Sequence, residues 1–439
     1  MGDTATLSPP AIDAQKETSF SKEWWKFFYE KSKGLTAPMV IKNVLSETDI
    51  TEFMDGVYTV VKDVSDRKVP NGFRLSIEGT IKDDNRDFFY NNPPLPGENI
   101  VAWCSRAFGD RKFGVILNSV QNYDRKLKGQ IYRKFRHLLE QHGVPPNGIE
   151  ITLFFGNYGY TPLGFHLDPV GHKVTHLHLG PGNKQMYLIG KDKFEKELAG
   201  KNGSKDFDKL VPHAEKFEFD KNDAFFMPNG YYHVGNTSEL SFGLTVWHIE
   251  PPIAEFQAEM GVDLMKVIFS KEDNETILKR DDNPINDISS ITSVLKDFID
   301  IDSDFANMTL GQAMQQLMLE HRYKIFSNGY FYGFLQNMEA EIKPPAVEFK
   351  LDTVVKGVDP FIIRSLERGE KTILFVQGKK VSVPSHEKLD DIIKKLNEYK
   401  SYTIEKLFEG PSEDWDTDLI LYITNELFKY NGIEFVNSK

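Results

Sequence analysis

The sequence predicts a mostly β core with flanking helices, followed by a helical segment and a small C-terminal α/β domain. Between residues 149 and 250, short β-rich runs alternate with Gly, Pro and Asn, a pattern typical of a β-sandwich or barrel. Helical periodicity returns between residues 254 and 333. After Pro344-Pro345, a hairpin pattern, three helix-like stretches and a last strand follow one another in the order of a winged helix.

Length and composition are those of a globular protein with two or three domains. The chain has 439 residues, and Cys104 is its only cysteine, which excludes an intrachain disulfide. The net charge of -12 argues against a partner such as nucleic acid or an anionic membrane. No apolar run approaches the roughly 20 residues that cross a bilayer. Residues 1–22 lack a secretory signal, so we expect a cytoplasmic protein.

Four regions are expected along the chain. Residues 1–17 are small and polar, which predicts a disordered tail. The main domain is expected over residues 18–253, a helical linker or dimerisation segment over 254–343, and the winged-helix-like domain over 344–439. From residue 345 onwards the net charge is -3, unlike the basic surface of a DNA reader, so we expect a structural or protein-recognition role there.

Elements of the main domain are predicted from periodicity and caps. Met39–Leu45 is a strand pattern, and Ser46 with Asp49 forms a capping box that begins the next helix. A helix is predicted over Asp124–Gln141, with Gly143 placed to end it. The β-rich region predicts six strands, at Ile149–Phe155, Val174–Leu179, Gln185–Ile189, Lys216–Phe219, Ala224–Met227 and Phe242–Ile249.

Helical patterns dominate the rest of the chain. Thr309 and Gln312 form a second capping box. Apolar and histidine side chains then recur on one helix face, namely Leu310, Met314, Leu317, His321 and Ile325. The C-terminal domain is predicted to contain the hairpin strands Ile373–Val376 and Lys380–Val383, the helices Ser385–Tyr399, Thr403–Phe408 and Thr417–Tyr430, and the strand Ile433–Val436.

Two histidines and one carboxylate form the strongest functional pattern. His166 and Asp168 are two residues apart, so they point to the same side if that segment is extended. His233 follows Pro-Asn-Gly and two tyrosines, at the start of a further strand pattern. Two imidazoles and a carboxylate with open positions are the ligands typical of non-heme Fe(II) enzymes that use dioxygen. A core histidine bonded to a backbone carbonyl is the alternative for His233.

Other polar residues of the β-rich region are candidates for the same site. Lys184 leads into a strand pattern, where a lysine inside a closed barrel needs an anion, although a solvated turn lysine is the alternative. His176 and His178 alternate and share a strand face, which suits lining a pocket better than binding metal. Four tyrosines near the triad are candidates either for core packing or for substrate contact, and the sequence does not separate these two uses. They are Tyr158, Tyr160, Tyr231 and Tyr232.

The order of these motifs resembles the JmjC and cupin-like Fe(II)/2-oxoglutarate-dependent oxygenases. It runs Gly-x-Thr-Pro, His-x-Asp, Gly-x-Lys and Pro-x-Gly-aromatic-aromatic-His over about residues 149–250. The resemblance implies a double-stranded β-helix, or jelly roll, with iron held by His166, Asp168 and His233. Lys184 would bind the 5-carboxylate of 2-oxoglutarate. A helical segment and a winged helix after this domain resemble the ribosomal-oxygenase type of protein hydroxylase, in which the helical region forms a two-fold dimer.

The resemblance also identifies two threonines and two departures. Thr175 matches a position where the family has a polar contact to the co-substrate. The threonine expected just before the first ligand is displaced to Thr161. The interval from Asp168 to Lys184 carries extra residues. Both departures concern the co-substrate pocket and leave the metal triad untouched.

We therefore expect an enzyme with Fe(II), 2-oxoglutarate and O2 that hydroxylates a side chain of a peptide or protein, as a homodimer. Turnover would convert 2-oxoglutarate to succinate and CO2. One alternative is a cupin-type metalloenzyme that acts on a small molecule without 2-oxoglutarate and does not need Lys184. The other is a non-catalytic protein-interaction module.

Overall fold

The computed structural model describes residues 12–13, 18–69, 72–81, 84–268, 284–285, 305, 308–332, 347–413 and 415–436. The chain divides into two compact units. One contains Met1–Glu250 together with Ile325–Lys439, and the other is Pro251–Lys324. Of the predicted disordered tail, the described residues are Ile12 and Asp13, which pair in parallel with a strand of the core.

The described strands, in chain order, are β1 Ile12–Asp13, β2 Met39–Lys42, β3 Phe73–Ile77, β4 Thr80–Ile81, β5 Phe113–Leu117, β6 Ile149–Gly156, β7 Gly159–Tyr160, β8 His172–Pro181, β9 Lys184–Gly190, β10 Glu215–Phe219, β11 Ala224–Met227, β12 Tyr231–Thr237, β13 Ser241–Ile249, β14 Val354–Gly357, β15 Arg364–Arg368, β16 Lys371–Val376, β17 Lys379–Pro384, β18 Tyr402–Thr403 and β19 Ile433–Phe435. The described α-helices are α1 Lys22–Lys31, α2 Glu47–Asp66, α3 Asp84–Asn91, α4 Ile100–Phe108, α5 Arg125–His142, α6 Phe207–Leu210, α7 Ile253–Ile268, α8 Leu310–Ser327, α9 Leu389–Asn397, α10 Ile404–Phe408 and α11 Thr417–Lys429. None of these helices has both the length and the apolar character of a membrane-spanning segment.

Two sheets form the β core. The large sheet has the strand order β1-β2-β11-β8-β13-β6-β5-β3-β4, and the small sheet has the order β10-β9-β12-β7. Neighbouring strands are antiparallel apart from the β1–β2 pair. Val174 and Phe225 of the large sheet share one buried apolar cluster with Leu188 and Phe217 of the small sheet. The predicted mostly β core is therefore confirmed.

All six predicted strands of the β-rich region are present, with ends that differ by at most two residues. The large sheet also contains β3 and β5, which the sequence did not predict. A short apolar run such as Phe113–Leu117 fits a buried helix as well as a strand, so periodicity alone cannot assign it. These two strands widen the large sheet on the β6 side.

The helices that cover the large sheet follow the predicted caps. The Ser46 hydroxyl accepts from the Asp49 amide and the Asp49 carboxylate accepts from the Ser46 amide, which confirms the capping box of α2. α5 is capped at its start by Asp124, whose carboxylate accepts from two amides, and at its end by Gly143, where φ is 98°. Its buried face joins the main core cluster of the first unit through Ile131 and Phe135.

The C-terminal part of the first unit has its own apolar core. Two three-stranded sheets, β15-β16-β17 and β18-β14-β19, accompany α9, α10 and α11. The predicted hairpin is confirmed, with Gln377 and Gly378 at positive φ in its turn. Arg133 of α5 donates to Asp359 at 2.8 Å, so this part contacts the main domain through α5. Its assignment as a winged helix stays a prediction.

The described secondary structure of the second unit consists of α7 and most of α8. Its core contains Leu264, Phe305, Ala313 and Leu317. Thr309 and Gln312 exchange the hydrogen bonds of the predicted capping box.

Candidate metal centre

His166, Asp168 and His233 lie together. Each offers one ligand atom, and the three atoms lie within 4.8 Å of one another. The Asp168 carboxylate has one oxygen 4.0 Å from His166 Nε2 and the other 3.8 Å from His233 Nε2. The two imidazole centroids are 4.3 Å apart. Three side chains separated by up to 67 positions in the sequence therefore face a single point.

Backbone pairing brings the two histidines together. The His166 amide donates to the His233 carbonyl at 3.1 Å, and the His233 amide donates back to the His166 carbonyl at 2.9 Å. His233 lies on β12, and the segment that carries His166 pairs with it as one isolated bridge. Because Asp168 is two residues beyond His166 on an extended segment, its carboxylate projects to the same side.

Both imidazoles are oriented by a backbone carbonyl. His166 Nδ1 lies 2.9 Å from the Gly164 carbonyl oxygen, and His233 Nδ1 lies 3.3 Å from the Tyr231 carbonyl oxygen. Since a carbonyl only accepts, each Nδ1 carries the proton and each Nε2 keeps its lone pair. Metal-binding histidines are oriented in this way in proteins. His233 therefore makes the backbone contact that the alternative interpretation expects. Its Nε2 nevertheless points towards Asp168, as a metal ligand requires.

Burial sets the charges of the three groups. It lowers the pKa of His166 to about 4, an effect that His233 reinforces, and it lowers the pKa of His233 to about 4. Burial raises the pKa of the Asp168 carboxyl. The imidazoles are therefore neutral at pH 7, which is the form that binds metal. Two neutral nitrogens and one carboxylate fit a divalent first-row ion such as Fe(II).

The triad lines a cavity of about 650 Å³ between the two sheets. Its volume is typical of a ligand pocket. Apolar side chains of both sheets also line the cavity, namely Phe154, Val174, Met186, Phe225, Met227 and Trp247.

Lys184 lies in the same cavity as the triad. Its side chain is buried, and the ammonium lies 5.3 Å from the centroid of the Phe154 ring. Within the described part of the chain, we find neither a carboxylate within 4.0 Å of this ammonium nor a hydrogen bond to it. A β-carbon at Gly235 would lie 3.1 Å from Thr161 Oγ1 and 3.5 Å from Lys184 Cε, so Gly235 packs beside both side chains.

Three of the weaker candidates, namely Tyr158, Thr161 and His176, also line the cavity. Tyr158 lines the cavity and packs beside Gly114, because a β-carbon at Gly114 would come within 2.8 Å of the Tyr158 ring. Thr161 also lines the cavity, and its hydroxyl donates to the Gly235 carbonyl at 3.1 Å. Lys184, Gly235 and Thr161 are thus neighbours at one end of the cavity.

Thr175 is turned away from the cavity, which corrects its predicted contact with the co-substrate. Residues i and i+1 of a strand point to opposite faces, and on β8 the cavity face belongs to Val174 and His176. Thr175 packs on the other face, with its hydroxyl 3.4 Å from His248 Nε2. His176, the neighbour of Thr175 on β8, therefore faces the cavity in its place.

The remaining predicted residues pack around the site without lining the cavity. Tyr160 stacks on Phe207, and Tyr232 stacks on Phe194. Tyr231 packs against the apolar cluster between the sheets. His178 has Nε2 2.7 Å from the Gly182 carbonyl oxygen, and burial lowers its pKa to about 4.

Several cavity residues were missed by the sequence analysis. They are polar or amphipathic, and they include Arg74, Asn118, Glu150, Thr152 and Trp247. Arg74 lies on β3 and Asn118 follows β5, the two strands that the pattern did not predict. Glu150 and Thr152 alternate with the apolar residues Ile149, Ile151 and Leu153 on β6, a signal that was visible in the sequence. One Glu150 oxygen accepts from the Ser119 hydroxyl at 2.8 Å.

Solved structures show which fold the two sheets form. Over 93% of this chain and 97% of the other, the protein superposes on the X-ray structure of Escherichia coli ycfD with a TM-score of 0.50 and 14% identity. The chain has the ycfD fold. The same protein, a ribosomal oxygenase, has also been solved with cobalt and 2-oxoglutarate. That structure covers 93% of this chain and 98% of its own, with a TM-score of 0.48 and 15% identity.

The resemblance to a ribosomal oxygenase is thus confirmed at the level of the fold, and it extends through the C-terminal part of the chain. The facing antiparallel sheets are those expected of a JmjC or cupin-like jelly roll. No family model and no curated protein matches the sequence. The likeness therefore rests on structure alone.

Proposed function

We propose that this protein is an Fe(II)/2-oxoglutarate-dependent oxygenase that hydroxylates a side chain of a peptide or protein. The proposal rests on one observation. A two-histidine, one-carboxylate triad and a buried lysine without an anionic partner among the described residues line the same cavity. The ycfD fold, which also occurs with cobalt and 2-oxoglutarate bound, supports it.

The lysine selects the kind of co-substrate. A buried ammonium loses its hydration and needs an anion close by. The proposed ligand is a dicarboxylate that reaches the metal with one end and Lys184 with the other. 2-Oxoglutarate has this chemistry, and its distal carboxylate would form a charge-assisted hydrogen bond with Lys184.

The protein's part in the reaction is to bind, orient and exclude water. The bound iron with 2-oxoglutarate and O2 supplies the oxidation, coupled to decarboxylation of 2-oxoglutarate to succinate and CO2. His166, Asp168 and His233 would hold the iron in the wall of the cavity. The apolar wall keeps water from the reacting C–H bond, and the rim at Arg74 and Asn118 is exposed, which suits entry of a side chain.

A cupin-type metalloenzyme acting on a small molecule is the second candidate. It uses the same triad but has no need for an ammonium buried in the pocket. Lys184 therefore favours the 2-oxoglutarate enzyme, and it disfavours a non-catalytic interaction module for the same reason.

Mass spectrometry of candidate peptides tests the proposal. Peptides are incubated with the protein, iron, 2-oxoglutarate and ascorbate in air, and again with 2-oxoglutarate omitted. We expect a gain of one oxygen only in the complete mixture, in equal amount to the succinate formed. Modification that persists without 2-oxoglutarate would favour the small-molecule type of metalloenzyme instead.

A further inference from the structure

His176 is a buried polar group of the cavity that the triad and Lys184 leave without a role. Its side chain is 6% exposed and lines the cavity from β8. Nδ1 lies 2.8 Å from the Thr245 hydroxyl on the neighbouring strand β13. Nε2 is buried and has no hydrogen-bond partner. Leaving a buried polar atom unpaired is unfavourable, so this nitrogen requires an explanation.

The position of the imidazole ring depends on Gly243. A β-carbon there would lie 2.1 Å from His176 Cε1 and 2.3 Å from Nε2, so the ring occupies the space that a side chain on β13 would fill. Gly243 is paired with Phe154 across β13 and β6, and Lys184 approaches the Phe154 ring. The unpaired nitrogen and the lysine ammonium therefore both lie near the Gly243–Phe154 pair, in the wall of the same cavity.

Electrostatics make the imidazole neutral. Burial lowers the pKa of His176 well below its ordinary value, and Lys184 and His178 lower it further. A neutral imidazole has one N–H and one lone pair. A hydroxyl can donate to Nδ1 or accept from it, so Thr245 is compatible with a proton on Nε2. An anion bound beside this nitrogen favours that tautomer, because it repels a lone pair and accepts from an N–H.

We propose that His176 Nε2–H and Lys184 together bind the distal carboxylate of the co-substrate, with Thr245 holding the imidazole in the required tautomer. This inference rests on the proposed function, since it deepens the 2-oxoglutarate site. Lys184 supplies the charge, and His176 supplies a directional donor. The two predicted threonines do not take that part, because Thr175 faces away and the Thr161 hydroxyl is bonded to Gly235.

Calorimetry of 2-oxoglutarate with the zinc-loaded protein tests the contact without turnover. His176→Leu should weaken binding roughly tenfold to a hundredfold, the range for a hydrogen bond to a charged group. His176→Gln, whose amide can place a donor near Nε2, should recover most of that loss. Thr245→Val should weaken binding less than His176→Leu. Thr175→Val, a matched change on the same strand but the opposite face, should bind as the wild type does.

Nitrogen-15 NMR of the imidazoles in the same zinc-loaded wild type gives an independent readout. We expect His176 in the Nε2–H form, with that signal shifted when 2-oxoglutarate is added. Wild type that fails to bind 2-oxoglutarate would overturn the proposed function itself. Wild type that binds while His176→Leu binds equally well would overturn only the role of His176. Should His176→Leu fail to fold, an unchanged imidazole spectrum on ligand binding overturns that role.

Discussion

At the residue scale, Lys184 distinguishes the candidate reactions. It is a cation buried in the cavity, and its ammonium lies 5.3 Å from the centroid of the Phe154 ring. Without a ligand, such a charge is unfavourable in the folded state because burial of the side chain removes part of its hydration. With a dicarboxylate bound, the same charge provides affinity. The cost in stability and the gain in affinity therefore belong to one side chain.

Lys184→Met should separate these two effects. We expect the apparent requirement for 2-oxoglutarate to rise tenfold or more, since a hydrogen bond to a charged group contributes roughly 1.5–3 kcal/mol. The ligand-free variant should unfold at an equal or higher temperature than the wild type. Succinate formation against 2-oxoglutarate concentration and thermal unfolding measure the two. Lys191→Met, at an exposed position after the same strand, is the control, and unchanged kinetics in Lys184→Met would assign the carboxylate to another residue.

At the scale of elements, the connection between β9 and β10 holds the segment that carries the first two proposed ligands. The Phe165 amide donates to the Ser204 carbonyl at 2.7 Å, and the Gly203 amide donates to the Phe165 carbonyl at 2.8 Å. The Asn202 side chain accepts from the Leu167 amide at 3.0 Å. A β-carbon at Gly164 would lie 2.3 Å from the Ser204 carbonyl oxygen, so the two segments are in close contact. We infer that this connection positions His166 and Asp168.

Asn202→Ala should therefore weaken metal binding about tenfold while lowering the free energy of unfolding by only about 1 kcal/mol, the value of one exposed hydrogen bond. Asn202→Asp keeps the acceptor and should bind metal almost normally. Cobalt(II) titration followed by visible absorption measures the affinity, and Asn425→Ala on α11 is the control. Equal metal affinity in Asn202→Ala and wild type would reduce the connection to a structural role.

The sequence was informative about this site where chemistry and spacing coincide. His166, Asp168 and His233 were identifiable because their residue types and order fit a metal site, and six strands were identifiable from turn residues between β-forming runs. The face on which Thr175 lies depends on strand register, which a single sequence does not determine. Arg74 lies on a short strand and Asn118 follows another, and the pattern of such short apolar strands does not differ from that of a buried helix. In both cases, the pairing of strands that are distant in the sequence determines where these residues lie.

At the scale of the whole molecule, buried histidines couple stability to pH. Burial lowers the pKa of His248 to about 3 and that of His178 to about 4, against an ordinary value of 6.5. Below pH 6.5 the unfolded chain binds protons that the folded chain does not, so acid favours unfolding. This contribution to stability is complete above pH 6.5 and is lost progressively as the pH falls towards the folded values.

The metal-free protein should accordingly be less stable at pH 5 than at pH 7. His248 alone accounts for a loss on the order of 2 kcal/mol. Urea unfolding at the two pH values measures it, and His248→Gln should show a smaller difference. His213→Gln, at an exposed histidine, is the control. A free energy of unfolding that is the same at both pH values would contradict the burial of these imidazoles as neutral groups.

The second unit offers a surface for the proposed homodimer. Leu317, which the sequence places on one face of the predicted helix, is buried inside the unit. In contrast, Leu310 is 70% exposed, Met265 is 56% exposed and Met318 is 44% exposed. Exposed apolar side chains on α7 and α8 favour association. We expect light scattering to give twice 50.3 kDa for the wild type. Met265→Glu with Met318→Glu should give one chain, and Gln257→Glu should not; a wild-type mass near 50.3 kDa would exclude the dimer.

The most direct test of the central claim is succinate formation from 2-oxoglutarate by the wild type and by Asp168→Ala, with and without added iron, measured by NMR. We predict iron-dependent succinate from the wild type and none above background from Asp168→Ala, because two imidazoles alone do not complete the proposed three-ligand site. Circular dichroism should show the same fold for both proteins, and Asp208→Ala, at an exposed carboxylate, should turn over normally. Succinate formed at the wild-type rate by folded Asp168→Ala would contradict the assignment of the metal centre.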